Sequence, residues 1–368
     1  MILPNIEKRQ KNSSIHDKVM FLLNDLYTES NLSRDQLFFL LEHLSKEELP
    51  HLYNLAYKKK YTYYQNKVFM RGLLEISNYC SRGCHYCGIH RQNKVISRYR
   101  LSKEQIYTCI DEAYSLGYKT YVLQGGEDPY FTDELMEEII REIKQRYPNT
   151  RITLSLGERS YASYKRLYEA GADRYLLRHE TASKELYQHL HPSDMDFEQR
   201  RECLTNLKEI GYQVGAGFMV HTPKQTNQDL VEDLLYLKEL KPDMIGIGPF
   251  LAHSSTVFKE ASSGTLEETL VMVALTRLMH PEVLLPATTA LGSLHKIGRE
   301  KALKVGANVL MPNISPTATR KDYEIYESKI CIDDTADHCR NCIESRVVGV
   351  NHQIDLSVGD PIYYNERR

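Results

Sequence analysis

The chain has 368 residues, 42% hydrophobic and 26% charged, enough for a sizeable core and long for one domain unless that domain is a barrel. Its 47 basic and 49 acidic side chains leave a formal charge of −2, which excludes the global basic field of a nucleic-acid binder. The opening MILPNIEKRQKNSS has no apolar signal-peptide segment, and no window approaches a membrane span. The expectation is a cytoplasmic protein with neither nucleic acid nor membrane as partner. In that reducing compartment eight cysteines read as metal or redox chemistry where they cluster, not as a disulfide framework.

Residues 1–65 read as a helical lead-in, with apolar positions at helical period in IHDKVMFLLNDLY and SRDQLFFLLEHLSKEELPHLYNLAYKKK. Ser33 and Gln36 are spaced for a capping box, and the basic run at Tyr57–Tyr61 reads as a solvated helix face. Over residues 66–322 short apolar runs alternate with amphipathic segments, the signal of strand–helix units. A glycine ends the helix before several strands, at Gly117, Gly171, Gly211 and Gly306, as the left-handed C-terminal position favours. Adding the runs at 73–77, 152–156, 243–248 and 283–289 gives eight strands, the count of a closed (β/α)8 TIM barrel. A doubly wound α/β sheet is the alternative. Within these units Cys109 and Cys203 share helical stripes with apolar neighbours and read as small core residues. Residues 323–368 form a C-terminal segment, with a second cysteine trio on loop and turn.

In such a barrel the active site lies on loops after the strand C-termini, and the polar motifs fall there. Cys80, Cys84 and Cys87 follow the first strand in NYCSRGCHYCGIHRQN. Three thiolates suit a 4Fe–4S cluster with one iron open to another ligand. Structural zinc, completed by His85 or His90, is the alternative. The spacing, with Tyr86 before the last cysteine, resembles the cluster loop of the radical S-adenosylmethionine (SAM) superfamily, in which SAM occupies the open iron.

After the second strand, VLQGGEDP places Gly125 and Gly126 where a backbone approaches a ligand closely. Glu127 and Asp128 follow as carboxylates able to hold a cation; an ordinary tight turn is the alternative. Beside the cysteine loop this stretch looks like a SAM-binding GGE motif. TLSLGE (Thr153–Glu158) ends the third strand. LLRHET ends the fourth with Arg178, His179 and Glu180, either a structural ion pair or a polar face gripping carboxylates. Arg200 begins a later helix with reach to the same cavity. Thr288 and Thr289, at the end of the seventh strand, offer hydroxyls and backbone N–H groups to an anion. The last trio, Cys331, Cys339 and Cys342, leaves both iron–sulfur and zinc open, the latter through His338 or His352.

With these residues assembled, the chain resembles the HydE family of radical SAM FeFe-hydrogenase maturases from about Arg71 to Cys342. RGLLEISNYC, VLQGGEDPY, AGADRYLLRHETA, DMIGIGPF, PATTALG and GANVLMPN carry the likeness, with QGGED standing where some relatives read QSGED. The resemblance implies a full barrel, reductive cleavage of SAM to a 5′-deoxyadenosyl radical at Cys80, Cys84 and Cys87, and an accessory 2Fe–2S or 4Fe–4S cluster at the last trio. It carries Glu180 and Arg200 onto SAM-contacting positions, with Tyr86, Gly125, Gly126 and Glu127 beside them and Thr153 and Ser155 lining the same pocket. Arg178, Thr288 and Thr289 match positions for a carboxylate-bearing small molecule. Tyr323 and Tyr326 match tyrosines covering the SAM end, Tyr326 on the substrate side.

The implied substrate is a small sulfur- and iron-containing fragment, and the implied partners are a reducing electron donor and other hydrogenase maturases. Competing expectations are a methylornithine synthase- or biotin synthase-like enzyme on a small organic substrate, and a non-catalytic iron–sulfur or zinc carrier. The predicted later strands hold no cysteine for the further cluster of biotin synthase, and methylornithine synthase lacks the last trio.

Overall fold

The computed structural model describes residues 14–364; the stretch 1–13, read above for a leader, lies outside them. Three helices come first: α1 (Ile15–Glu29), α2 (Arg34–His43) and α3 (Leu49–Tyr64). Ser14 caps α1 and Ser33 caps α2, each in a reciprocal box with the residue three places on, Asp17 and Gln36. The Ser33–Gln36 box is the one the spacing predicts. Val19, Leu22, Leu23 and Leu26 of α1 are buried in the main hydrophobic core, each leucine contributing about 2 kcal/mol by leaving water.

The helical lead-in therefore packs onto the strand–helix units. The basic run on α3 is not wholly solvated. Lys60 is fully buried, donates to the Leu303 carbonyl at 3.2 Å, and lies 2.5 Å from His352 Nε2. Its position on the inward stripe of α3, four residues after Ala56, decides this.

The strands follow as β1 (Lys67–Met70), β2 (Gly72–Ser77), β3 (Thr120–Gly125), β4 (Arg151–Ser155), β5 (Arg174–Leu176), β6 (Gln213–Val220), β7 (Met244–Pro249), β8 (Val309–Leu310) and β9 (Gln353–Asp355). Between and after them run α4 (Lys103–Ser115), α5 (Asp133–Arg146), α6 (Tyr161–Ala170), α7 (Lys184–Leu190), α8 (Phe197–Ile210), α9 (Asn227–Leu240), α10 (Leu266–Met279), α11 (Thr289–Leu294), α12 (Gly298–Lys304), α13 (Thr317–Arg320) and α14 (Ala336–Val348). Strands β2 to β7 form one parallel sheet in sequential order. β2, β6 and β7 are buried at every position, as expected of parallel strands covered on both faces. Gly171 and Gly211 cap α6 and α8 at φ +119° and +108°, so the recurring glycine does the work assigned to it.

The structure departs from the predicted strand set in three places. The run over 283–289 forms no regular strand; Leu284 bridges Met244 and Pro286 bridges Val309. Proline has no N–H to donate, which limits a ladder there. β1 and β9 were not anticipated, and pair in parallel beside β8. The last trio is not confined to loop and turn: Cys339 and Cys342 lie on α14, whose N-cap Thr335 accepts from the His338 N–H. Cys109 and Cys203 are buried in the core, as predicted. Among the described residues no helix is long and apolar enough to cross a membrane.

Candidate active site

The cysteine loop leaves β2 at Ser77 and is shaped by two residues that carry no cofactor. Asn78 donates to the carbonyls of Ser97 and Asp322 at 2.7 and 2.6 Å, and accepts from the Tyr99 N–H. The Arg98 guanidinium donates to four loop carbonyls, Asn78, Ile89, His90 and Asn93. One planar cation thus holds both ends of the cysteine loop. Gly88 donates to Ile325 at 2.9 Å, and a Cβ there would stand 2.2 Å from the Glu324 carbonyl oxygen. The loop is pressed against the segment that follows α13.

Burial pushes all three thiols up, Cys87 to about 12, and at Cys84 and Cys87 the charge of neighbouring thiols adds to the effect. Thiolates there call for a bound positive centre to compensate them. A tetrahedral zinc with bonds near 2.3 Å needs sulfurs about 3.8 Å apart. Among the described residues, the group of donors gathered within 4.8 Å of one another is His16, Glu47 and Glu48; neither cysteine trio is drawn in to single-ion spacing. His85 Nδ1 is turned to the His189 carbonyl and His90 to Gln92 and Ser255.

Charged side chains then link the strand ends. Arg82, between Cys80 and Cys84, pairs with Glu127 and, at 3.1 Å, with Glu158. Glu127 accepts from the Glu158 N–H at 3.0 Å, and Arg200 Nε meets Glu158 Oε1 at 2.6 Å. Arg200 donates to the Arg178 carbonyl at 3.3 Å, and Arg178 lies 3.3 Å from Glu180. Glu127, Arg178, Glu180 and Arg200 are thereby brought into one network. Arg82 and Glu158 are the members that sequence reasoning left out. Glu158 closes the quoted TLSLGE run, which was the available signal.

Several expectations need correction. Glu127 and Asp128 do not share a cation site, because Asp128 turns to Arg100 at 2.7 and 2.9 Å and to Ser77 at 2.6 Å. The close approach at Gly126 is made by the cysteine loop itself: a Cβ would stand 2.2 Å from the Tyr79 carbonyl oxygen. His179 does not join the polar face of Arg178 and Glu180. It is buried on the other side of the sheet, against Asp233 and Tyr236, as alternation along an extended segment directs. Glu180, the next residue, takes φ +67°, a left-handed conformation that costs a non-glycine residue about 1–2 kcal/mol.

The remaining candidates spread over the interior. Tyr86 directs its hydroxyl to His191 at 3.2 Å. Thr153 lines a small cavity with Arg71, Arg174 and Met244, while Ser155 lies two residues nearer the strand end. Thr289 faces a separate small cavity with Glu75, Lys329, Cys331 and Cys339. Tyr323 is buried, its hydroxyl accepting from Gln124 at 3.1 Å; Tyr326 is half-buried, with its hydroxyl toward Ser293. Lys329 reaches the buried Glu75 at 2.5 Å and the Tyr323 carbonyl at 2.9 Å, so the tyrosine segment is tied to β2. Thr153 Oγ1, Thr288 Oγ1 and Arg178 Nε are buried without a hydrogen-bond partner among the described residues. Orphaned polar atoms of this kind mark where a ligand would bond.

In the last trio Cys339 is buried and Cys342 exposed. A hydrogen bond with Cys339 draws the Cys331 thiol down to about 6 and pushes Cys339 up. Of the two histidines read as completing a zinc site, His352 bonds Lys60 and His338 is exposed beside Asp334 at 3.5 Å.

A parallel sheet with a three-cysteine loop after its first long strand, and a glycine–carboxylate turn beside that loop, defines a class. The sequence profile of the Radical SAM superfamily matches residues 74–237, and that class implies a 4Fe–4S cluster and SAM. The FeFe hydrogenase maturase subunit HydE of Thermotoga maritima is 46% identical over 292 residues, covering 79% of this chain and 83% of that protein. The chain belongs to the HydE family. A 3-methylornithine synthase of Methanosarcina acetivorans is 30% identical over 76% of this chain and 79% of its own. The crystal structure of methylornithine synthase PylB superposes with a TM-score of 0.79 at 26% identity, over 91% of this chain and 97% of PylB. The FeFe-hydrogenase maturase HydG, 19% identical with a TM-score of 0.80 over 99% and 81%, shares the fold.

Proposed function

We propose that this protein is a radical SAM enzyme of FeFe-hydrogenase maturation, working on a small sulfur- and iron-containing substrate inside a closed (β/α)8 barrel. The observation that carries this reading is the charged network joining the cysteine loop to three strand ends through Arg82, Glu127, Glu158, Arg200 and Glu180. Closure of the barrel is supported by parallel bridges from β7 through Leu284, Pro286 and Val309, and from Asn313 to Leu73. Residues 66–322 are read as the barrel, with 1–65 and 323–368 as its flanking segments.

A 4Fe–4S cluster and SAM, when bound, would supply one-electron reduction and 5′-deoxyadenosyl radical chemistry. Cys80, Cys84 and Cys87 are the ligands in this reading. Tyr86, Gly125, Gly126 and Glu127 shape the methionyl end, and Glu180 and Arg200 grip SAM, with Thr153, Ser155 and Tyr323 lining its pocket. Arg178, Thr288, Thr289 and Tyr326 bind the substrate; the orphaned Arg178 Nε and Thr288 Oγ1 support a carboxylate there, which arginine pairs well. Cys331, Cys339 and Cys342 are assigned to an accessory iron–sulfur cluster. The reading also calls for an electron donor and for neighbouring maturases in a cytoplasmic setting.

The 91% coverage of this chain by PylB favours methylornithine synthase-like chemistry on an organic substrate as the second reading. The test is anaerobic reconstitution with iron and sulfide, reduction, and assay of 5′-deoxyadenosine. Wild type is expected to produce it, Cys84→Ala to abolish it and Cys339→Ala to spare it. Wild-type enzyme making none would sink the radical assignment, and equal loss in both variants would overturn the division of roles.

A further inference from the structure

Glu180 stands in a left-handed backbone conformation at the end of β5, and its flanks are tied together behind the sheet. His179, one residue before it, accepts the Gly217 N–H on Nδ1 at 3.3 Å. That bond places the ring proton on Nε2, which faces Asp233 Oδ1 at 3.2 Å. Ala182, two residues after Glu180, donates its N–H to the same Oδ1 at 2.5 Å. One oxygen on α9 therefore holds both sides of Glu180. In front, the Glu180 N–H donates to the Gly217 carbonyl at 3.0 Å and its carbonyl accepts from Met219 at 3.3 Å. Gly217 is thus bonded to both His179 and Glu180.

His179 and Asp233 are 1% and 0% exposed and reach neither the cysteine loop nor the barrel interior. A buried polar pair away from the chemistry calls for a reason, since two apolar side chains would fill the same space at no desolvation cost. Burial holds the His179 imidazole down at about 3 and pushes the Asp233 carboxyl well above its ordinary range. The pair is a fully buried hydrogen-bonded staple behind the sheet, apart from the ion pairs at the strand ends.

We propose that Asp233 is a positioning residue for SAM: acting through His179 and the Ala182 amide, it keeps Glu180 in the backbone conformation that aims its carboxylate into the pocket. The proposal rests on the assignment of Glu180 to SAM in the reading above. Asp233→Leu removes the accepting oxygen and frees both flanks. Asp233→Asn keeps a carbonyl oxygen for both donors.

The experiment compares reconstituted wild type with Asp233→Leu, Asp233→Asn, Glu180→Gln and the Glu180→Gln/Asp233→Leu pair. Two quantities are read: equilibrium SAM affinity, and amide hydrogen exchange at Ala182 and Gly217 without SAM. Asp233→Leu is expected to weaken SAM binding about 10-fold and speed exchange at both amides, as loss of a supporting hydrogen bond does elsewhere, while Asp233→Asn stays near wild type in both. If Asp233 acts through Glu180, adding Asp233→Leu to Glu180→Gln lowers affinity no further. Additive losses, or a wild-type affinity in Asp233→Leu, overturn the proposal. Glu180→Gln binding SAM normally would instead remove the SAM assignment beneath it. Should Asp233→Leu not accumulate as folded protein, His179→Phe takes its place in the same cycle, with the same outcomes deciding.

Discussion

A single hydrogen at Gly126 sets how closely the cysteine loop can lie against the end of β3. A Cβ there would stand 2.2 Å from the Tyr79 carbonyl oxygen, 2.6 Å from Cys80 Cβ and 3.0 Å from its Cα, so backbone would have to move. Gly126→Ala is expected to lose about 1–3 kcal/mol from overpacking and to take up far less iron on reconstitution; full iron content would show that the loop yields. Pattern reading singled out this glycine, the cysteines, Arg200 and Glu180, because each stands in a short run with recognisable spacing. It passed over Arg98 and Asn78, whose work is to bond backbone carbonyls. Any loop has carbonyls, and nothing in the order of residues says which cation will collect them. It also grouped His179 with Arg178 and Glu180, although neighbouring residues on an extended segment face opposite ways.

At the scale of elements, periodicity carried most of the fold: the helices of the lead-in, the capping box at Ser33 and the glycine-ended helices before the strands were all legible. The run over 283–289 was legible as apolar, but not as interrupted at Pro286. β9 was not legible, being three residues long and half exposed, with its pairing supplied by β1 far away in the chain. α3 shows the same limit, since a basic run hid one lysine on the buried stripe. Burial lowers the Lys60 pKa to about 7, below its unfolded value of about 10.4. Between those values the unfolded chain binds the extra proton, so stability from this group rises with pH from about 7 to about 10 and its penalty is fully present below 7. Lys60→Met is expected to stabilise by about 1 kcal/mol at pH 7, net of the bond lost by His352, and to flatten that rise. A melting series over pH measures it, and an unchanged slope would contradict the assignment.

Across the whole molecule, the end of the chain closes the floor opposite the candidate site. Asp360 accepts from Arg174 at 2.6 Å, from Arg151 at 2.8 Å and from Gln213 at 2.7 Å, gathering the starts of β4, β5 and β6. These donors hold its carboxyl well below the ordinary range. A depressed carboxyl contributes stability above its unfolded value of about 3.9, and that contribution is lost as pH falls toward the folded value. Asp360→Asn leaves Arg174, 3% exposed, without its ion-pair partner, at an expected cost of about 3 kcal/mol at pH 7. The difference from wild type is expected to shrink as pH falls below about 3.9 toward the much lower folded value, because there the unfolded chain takes up a proton while the folded Asp360 is still ionised. Denaturant titrations at about pH 7 and about pH 2.5 check both statements, and an equal deficit at the two would contradict the charge origin of the effect.

The pairing of β1 with β9 has a consequence for how the protein is made. Among the described residues β1 is the first strand and β9 the last, so this ladder joins segments separated by residues 71–352, and such distant pairings form slowly. During synthesis the cysteine loop and the strand ends emerge long before the residues that seal the opposite end. A nascent chain arrested before Gln353 would present the buried Arg174 and the half-buried Arg151 without Asp360, and a protease challenge of stalled chains would find this floor the last part of the fold to become resistant.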